Sequence, residues 1–183
     1  MKKSFLFPAV LLAALIVFSG CIQVGGKSFS DLKGVYEKHG IDGVIAPGSQ
    51  QELRAFENDL LSLKAQAQLQ NGRQADALVA MVDYKLTVIA MQRAFLNAAD
   101  EARFIDYYDP SCSKDTSLKK TIDYLDEALT QADLATAKAN DFENNYNDFM
   151  SAAGFGIAET NGTINELKSM LAEKKNAYKA FCI

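Results

Sequence analysis

The residues best suited to chemistry in this 183-residue chain are three cysteines and one histidine: Cys21, Cys112, Cys182 and His39. Zinc sites need several cysteine or histidine ligands close together, and di-iron bundles need Glu-x-x-His pairs. One histidine, followed by Gly40 at the end of a short predicted helix, can supply neither set. We therefore predict no resident metal or cofactor, and we interpret His39 as a partner of the helix C-terminal dipole.

The string DFENNYND, residues 141–148, has the carboxylate and amide spacing with which a calcium loop begins. An EF-hand loop needs glycine at its sixth position and glutamate at its twelfth, where this chain has Tyr146 and Ala152. We therefore interpret the string as the polar face of a helix.

Catalytic motifs are missing from the sequence. It has no Gly-x-Ser-x-Gly elbow, and GFG at 154–156 lacks the lysine and the preceding strand of a phosphate loop. The sequence therefore predicts a protein that is not an enzyme, unless another chain contributes the chemistry.

The N-terminus has the pattern of an export signal. Two lysines precede Phe5–Phe18, an apolar run of 14 residues that includes Pro8. A bilayer span needs about 20 apolar residues, whereas a signal-peptide core needs about 7–15. The length therefore favours a signal peptide, residues 1–20, over a membrane helix.

The end of that run, Phe18-Ser19-Gly20-Cys21, resembles the lipobox of prokaryotic lipoproteins, with Phe18 where Leu, Val or Ile is usual. The resemblance covers residues 1–21 only. It implies that Cys21 is lipidated, becomes the mature N-terminus and anchors the protein to the extracytoplasmic face of a membrane in the cell envelope. The alternative is a plain secretory signal followed by an incidental cysteine. Residues 21–28 would form a short tether.

Composition favours a folded, mildly acidic domain. About half of the residues are apolar, and removal of Lys2 and Lys3 with the leader leaves 17 basic against 23 acidic residues. Binding to nucleic acid needs a cationic surface, so we predict no nucleic-acid partner.

The helical periodicity of residues 29–183 predicts a single all-α domain, an up-down bundle with two long central helices and two shorter flanking ones. The long helices are predicted at 73–107 and 116–152, separated by Asp109-Pro110. The flanking helices begin at two predicted capping boxes, which start at Ser49 and Thr163. A helical repeat protein is the alternative, although no 34-residue self-similarity is present.

A short helix over 28–39 is predicted to precede this bundle. No segment alternates apolar and polar residues for long enough to predict a strand.

If Cys21 carries a lipid, Cys112 and Cys182 remain, and a disulfide is the expected state in an oxidising compartment. If the last helix started at the end of the bundle where the second long helix finishes, Cys182 would stop about 20 Å short of Cys112. We therefore expect residues 153–162 to run along the bundle towards the end that carries Cys112 before the last helix begins. The helix that starts at Ser49 and the last helix would then each cover one half of the long hairpin. Free or intermolecular cysteines are the alternative.

Two further features could form surfaces. Tyr107 and Tyr108 lie at the turn between the long helices and could contact a partner, or they could pack beneath the disulfide loop. Asn161 begins the sequon NGT and could be glycosylated in an organism that modifies exported proteins, while Thr163 is expected to cap the last helix.

The sequence thus predicts a lipid-anchored, extracytoplasmic helical bundle that binds a protein partner or maintains the envelope. The alternative is a carrier that holds a small apolar ligand between its helices, in a cavity lined by Phe142, Tyr146 and residues of the first long helix. Beyond the lipobox, the sequence resembles no family that we recognise.

Overall fold

The computed structural model describes residues 26–41, 48–108, 115–154 and 157–182 of the chain; of residues 157–159 only the helical backbone is described. Within these ranges the chain is helical and contains no strand. Five α-helices are described there: α1 Phe29–Lys38, α2 Gln50–Ala67, α3 Arg73–Glu101, α4 Thr116–Tyr146 and α5 Ile157–Lys179. The predicted all-α class, with two long helices and shorter flanking ones, is confirmed.

The long hairpin of α3 and α4 is the centre of the molecule. Ser117 donates a hydrogen bond of 2.9 Å to Glu101 at one end, and Arg73 donates one of 2.9 Å to Asp148 at the other. The two helices therefore stay in register along their whole length, which is about 43 Å for the 29 residues of α3.

Small side chains allow the two long helices to approach closely. Ala128, Ala132, Ala135 and Ala139 of α4 are fully buried, and α3 contributes buried alanines of its own. Larger side chains fill the spaces between these alanines, above all Tyr84 and Phe142. Because α3 is covered on several sides, its buried residues extend around much of the helix.

The flanking helices lie antiparallel to the long ones. Helix α2 packs on α3, where Lys64 pairs with Asp83 at 2.6 Å. Helix α5 packs on α4, and its contacts recur about every two turns. These pairs are Lys175 with Asp126, Lys168 with Asp133, and Asn161 with Asn140.

Several predictions of local structure need correction. The first long helix ends at Glu101 rather than near Tyr107. The second long helix ends at Tyr146 rather than near Ala152, and the last helix begins at Ile157 rather than at Thr163. Thr163 is therefore inside α5 and does not cap it, and residues 157–162 are helix instead of a climbing linker. Because α5 runs along most of α4, the expected division of the hairpin into two covered halves is also wrong.

The capping box at Ser49 is confirmed. The Ser49 hydroxyl accepts from the Glu52 amide, and the Glu52 carboxylate accepts from the Ser49 amide at 2.6 Å. The hydrogen bond from the Ser49 backbone holds the pKa of Glu52 below its usual value. Helix α1 is also confirmed, and the ring of Phe29 at its start stacks on Phe149.

The bundle has two distinct ends. We call base the end formed by residues 26–29, 67–73 and 146–154, and top the end formed by residues 101–108, 115–118 and 178–182. The ion pair between Arg73 and Asp148 and the contact of Phe29 with Phe149 place the described N-terminal residues at the base. Helix α5 rises from the base and ends at the top.

Candidate interaction surface

The top of the bundle has a small core of its own. Ala102, Ile105, Leu118 and Ile122 are buried together, and Tyr178 and Cys182 from the end of α5 pack against them. Helix α3 ends at Glu101, a 3-10 turn follows over Ala102–Phe104, and Ile105 is extended. Ile105 thereby turns inward onto Leu118, which fixes the orientation of the residues that follow it.

Asp115 connects the segment that follows α3 to the start of α4. Its carboxylate accepts from the amides of Ser117 and Leu118 at 2.9 and 3.1 Å, so it caps α4, and it also accepts from the amide of Asp106 at 2.9 Å. These backbone hydrogen bonds, chiefly the one from Leu118, hold the pKa of Asp115 below its usual value. The segment before α4 and the segment after α3 are therefore held by one charged side chain.

An exposed aromatic patch lies on this support. Its members, listed with their exposed fractions, are Phe104 (74%), Tyr107 (54%), Tyr108 (102%) and Phe181 (40%). Among the described residues, every large aromatic side chain that is exposed belongs to this patch. We call it the aromatic patch.

The members of the patch differ in how firmly they are held. The Tyr107 hydroxyl donates to the carbonyl of Ala102 at 3.2 Å, and its ring meets Phe181 edge to face at 6.2 Å. The Tyr108 amide donates to Asp106, whereas the Tyr108 side chain is fully exposed. Of the two predicted surface residues, Tyr107 is therefore partly packed and Tyr108 is free to meet a partner.

A second candidate surface is an apolar pocket between α3 and α5. It has a volume of about 220 Å³ and an almost entirely apolar lining: Met91, Phe95 and Leu96 of α3 with Leu167, Met170 and Leu171 of α5. Its place differs from the one that the sequence suggested, since Phe142 is fully buried against Tyr146 with the ring centroids 5.6 Å apart.

A buried lysine was not singled out from the sequence. Lys85 of α3 is only 5% exposed, and its Nζ lies 5.0 Å from the ring centroid of Tyr36 and 5.6 Å from that of Tyr84. Burial lowers the pKa of Lys85 to about 8, and it raises the pKa of both tyrosines. The signal in the sequence was its position inside LVAMVDYKLTVIAM, a stretch too apolar to leave one face in water.

His39, the only histidine of the sequence, stabilises the contact between α1 and α2. His39 caps the end of α1, and its Nε2 lies 2.7 Å from the carboxylate of Asp59 on α2. Hydrogen bonds from Lys38 and then His39 hold the pKa of Asp59 below its usual value. Among the described residues, no three Cys, His, Asp or Glu side chains are grouped as metal ligands.

The calcium-like string lies at the end of α4, as predicted for a polar helix face. Asn145 donates to the backbone carbonyl and to the carboxylate of Asp141, and both residues are exposed.

Asn161, the predicted glycosylation site, lies within α5. Its Nδ2, the atom that would carry a glycan, donates to Asn140 at 2.9 Å. Attachment of a glycan in the folded state would have to disrupt this bond, so the helix is a poor acceptor once it has formed.

The predicted leader, residues 1–20, together with Cys21 and Cys112, lies outside the described residues. No helix in the described part of the chain is apolar enough over a sufficient length to cross a membrane.

The comparisons with known proteins add no relative: no family model, no curated protein and no solved structure matches this chain. The fold therefore defines the class, an all-helical up-down bundle. The features that bear on its function lie at its two ends.

Proposed function

We propose that this chain is a lipoprotein anchored through Cys21 on the extracytoplasmic face of the cell envelope. Its bundle catalyses no reaction, and it presents the aromatic patch to a protein partner. The observation that carries this proposal is the position of the patch at the top, while the described chain begins at the base. A lipid attached before Gly26 would hold the base near the membrane and leave the patch about 40 Å away from it.

The chemistry of the aromatic patch supports protein recognition. Tyrosine and other aromatic side chains are enriched among the residues that dominate binding energy at interfaces. Here the residues beside them in the sequence are anchored, because Ile105, between Phe104 and Tyr107, is buried with Leu118, and Cys182, which follows Phe181, packs against the same cluster. A partner would therefore meet aromatic rings whose backbone is already ordered, which lowers the entropy cost of binding.

Site-specific photocrosslinking tests this surface directly. A benzoylphenylalanine residue replaces Tyr108 in one full-length variant and Leu134, an exposed residue midway along α4, in a matched control. Irradiation of the protein in its own membranes should give one adduct of discrete mass from position 108 and none from position 134. The same adduct from both positions, or adducts from position 134 alone, would exclude the patch as the binding surface.

Mass spectrometry tests the anchor separately. The N-terminal peptide of the protein purified from membranes should begin at Cys21 and carry an acyl modification. A peptide that begins at another residue, or an unmodified Cys21, would contradict the proposed lipid anchor. It would leave the proposed binding of a partner to the aromatic patch unaffected.

A disulfide between Cys112 and Cys182 belongs to the same proposal. Cys182 packs against the small core at the top, and Tyr108 and Asp115, which flank the segment that contains Cys112, belong to that end as well. A bond there would tie the end of α5 to the hairpin and keep Phe181 beside Tyr107. Reduction should increase the monomer mass by two hydrogens, and free thiols at both positions in the native protein would contradict the bond.

The alternative function, a carrier of a small apolar ligand, is supported by the pocket between α3 and α5. Its volume of about 220 Å³ exceeds that of an engineered apolar cavity of about 150 Å³ that binds benzene. A small apolar molecule could therefore enter between Phe95 and Leu167 without any change in the helices.

The carrier is tested with a variant that fills the pocket. Leu167→Trp should abolish co-purification of any apolar molecule detected by mass spectrometry of organic extracts, whereas Leu134→Trp should leave it unchanged. Extracts without such a molecule from the unaltered protein would exclude the carrier and leave the partner-binding proposal intact.

A further inference from the structure

The most exposed aliphatic side chain of the described residues lies at the base. Leu69, in the turn between α2 and α3, is 86% exposed. The turn is ordered by hydrogen bonds: the Gln70 amide donates to Ala67, and the Gln70 side chain donates to Gln66. Gly72 has a φ of 117°, which favours glycine, and it allows the chain to enter α3. Leu69 is thus held outward by a defined turn.

The described N-terminus lies directly beside this turn. A Cβ atom at Gly26 would come within 2.5 Å of the Gln70 side-chain oxygen, so Gly26 touches the residue next to Leu69. The next residues are already fixed, because Lys27 pairs with Asp31 at 3.0 Å and the Ser28 amide donates to the Asp31 carboxylate. The tether that was predicted to extend to residue 28 is therefore bound to the bundle from Gly26 onward.

Only residues 22–25 separate Cys21 from Gly26 in the sequence. Even a fully extended chain spans at most about 3.6 Å per residue, so Cys21 lies within about 18 Å of Gly26. A lipid on Cys21 consequently keeps the turn that carries Leu69 close enough to reach the surface of the membrane.

The charges at the base are compatible with such contact. The sequence from Lys64 to Ala75 contains no acidic residue. Two carboxylates at the base, Asp31 and Asp148, are each paired with a cation, Lys27 and Arg73 respectively. The turn itself therefore carries one cation, Arg73, and no carboxylate, whereas the first turn of α3 carries the exposed Asp76. Repulsion by anionic lipids is thus weaker at the turn than over the acidic surface as a whole.

We propose that the turn at residues 68–72 is a second membrane contact, in which Leu69 inserts into the lipid surface beside the acylated N-terminus. This inference rests on the proposed function, because the lipid on Cys21 is what delivers the turn to the membrane. Insertion of Leu69 would add apolar area to the attachment that the lipid supplies, and it would orient the bundle with its base on the membrane.

The absence of tryptophan from the sequence makes a direct test simple. Three full-length, single-tryptophan variants are purified with their lipid and reconstituted into vesicles of phosphatidylcholine and phosphatidylglycerol that contain brominated acyl chains. The variants are Leu69→Trp at the base, Leu134→Trp midway along α4, and Tyr108→Trp at the top. All three original side chains are exposed, so none of these substitutions alters the core.

The expected result is a blue-shifted emission from Trp at position 69 and strong quenching by the brominated lipids. Position 108 should emit as in water and show no quenching, and position 134 should show little. Equal and weak quenching at all three positions in vesicle-bound, acylated protein would overturn the inference while leaving the anchor in place. Quenching at 134 as strong as at 69 would also overturn it, because the bundle would then lie flat.

Lipidation is read in the same samples from the mass of the N-terminal peptide. An unmodified Cys21 would overturn the proposed anchor and, with it, this inference. The two failures are therefore distinguishable, because one concerns a mass and the other a position-dependent fluorescence.

Discussion

The two ends of the bundle expose apolar residues of different kinds on different supports. At the top, four exposed aromatic side chains are next in sequence, or nearly so, to residues of a small buried core, and the carboxylate of Asp115 bonds the backbone of Asp106 between them. At the base, Leu69 projects alone from a short turn between two helices, and the carboxylates of Asp31 and Asp148 are paired with Lys27 and Arg73. Aromatic rings on a fixed floor suit recognition of a shaped partner, whereas one aliphatic side chain suits insertion into a fluid surface.

The difference also predicts how each end responds to substitution. A residue of the small core at the top is buried, so truncation of its side chain should destabilise the fold. A residue that projects from the base turn contributes little to the fold, so its loss should leave stability unchanged. The following predictions test this contrast in order of the expected effect.

The largest effect is expected at Leu118, which is fully buried in the small core at the top. Leu118→Ala should lower the free energy of unfolding by about 2–5 kcal/mol, because it removes buried methyl groups and leaves a cavity. Leu69→Ala should change the free energy of unfolding by less than about 0.5 kcal/mol. Urea titration followed by circular dichroism measures both. Similar losses for the two variants would mean that the ends do not differ in this way.

The next effect concerns the proposed disulfide at the top. The double variant Cys112→Ser/Cys182→Ser should be less stable than the oxidised protein by about 4 kcal/mol, from the entropy of a closed loop of about 70 residues. A reductant should destabilise the unaltered protein to a similar extent and leave the double variant unaffected. If the reductant changes nothing in the unaltered protein, the cysteines are not bonded to each other.

A smaller effect of opposite sign is expected at Lys85, in the interior between the two ends. Burial of its ammonium group opposes folding, so Lys85→Met should raise the free energy of unfolding at pH 7 by about 1–3 kcal/mol. The cation–π contacts with Tyr36 and Tyr84 would be lost and reduce the gain. Lys33→Met, at a side chain 77% exposed, serves as the matched control and should change little.

The dependence on pH gives Lys85 a signature of its own. Its pKa is lowered to about 8 in the folded protein, from an unfolded value of 10.5. Below pH 8 the folded and the unfolded states both bind the proton, and the buried charge lowers the free energy of unfolding by its full amount. Between pH 8 and 10.5 the folded state has released the proton and the unfolded state still binds it, so the free energy of unfolding rises with pH. This rise should be present in the unaltered protein between pH 8 and 10 and absent from Lys85→Met. The raised pKa values of Tyr36 and Tyr84 oppose it only above pH 10.

The smallest effect is expected at Asp115, which braces the top. Its pKa is lowered in the folded state, so its stabilising contribution is present above the unfolded pKa and is lost as the pH falls through the folded pKa. Asp115→Asn should therefore lower the melting temperature at pH 7 and leave it nearly unchanged near pH 2. Asp100→Asn, at an exposed carboxylate paired with Arg103, should lower it less. An equal decrease of the melting temperature by both substitutions at pH 7 would show that the hydrogen bonds of Asp115 do not stabilise the top.

The helical class and the order of the elements could be predicted because apolar periodicity is a local signal. The capping box at Ser49 was equally local, since the residues that satisfy the helix N-terminus lie within one turn of it. Helix ends were predicted less well. Phe104 and Ile105 continue the apolar pattern, yet Ile105 leaves the helix because Leu118 and Ile122, distant in sequence, provide a buried place for it.

The start of α5 illustrates the same limit. The sequence from Thr163 to Glu166 has the form of a capping box, but Thr160 is 3% exposed and Ile164 is fully buried on one helical face. Packing of this face against the interior extends the helix back to Ile157, and tertiary contacts of this kind override a local stop or start signal. The relation of the aromatic patch to the base could not be predicted either, because it depends on the register of α3, α4 and α5.

The central claim, that a partner binds the aromatic patch at the top, is tested most directly by quantitative recovery of that partner. Full-length Phe104→Ser/Tyr108→Ser is compared with a matched double variant of exposed side-surface leucines, Leu61→Ser/Leu134→Ser, after crosslinking in native membranes. Partner recovery should fall at least about tenfold for the first variant, as loss of interface hot spots implies, and should be unchanged for the second. Equal recovery with the two variants, at unchanged melting temperature, would contradict the account.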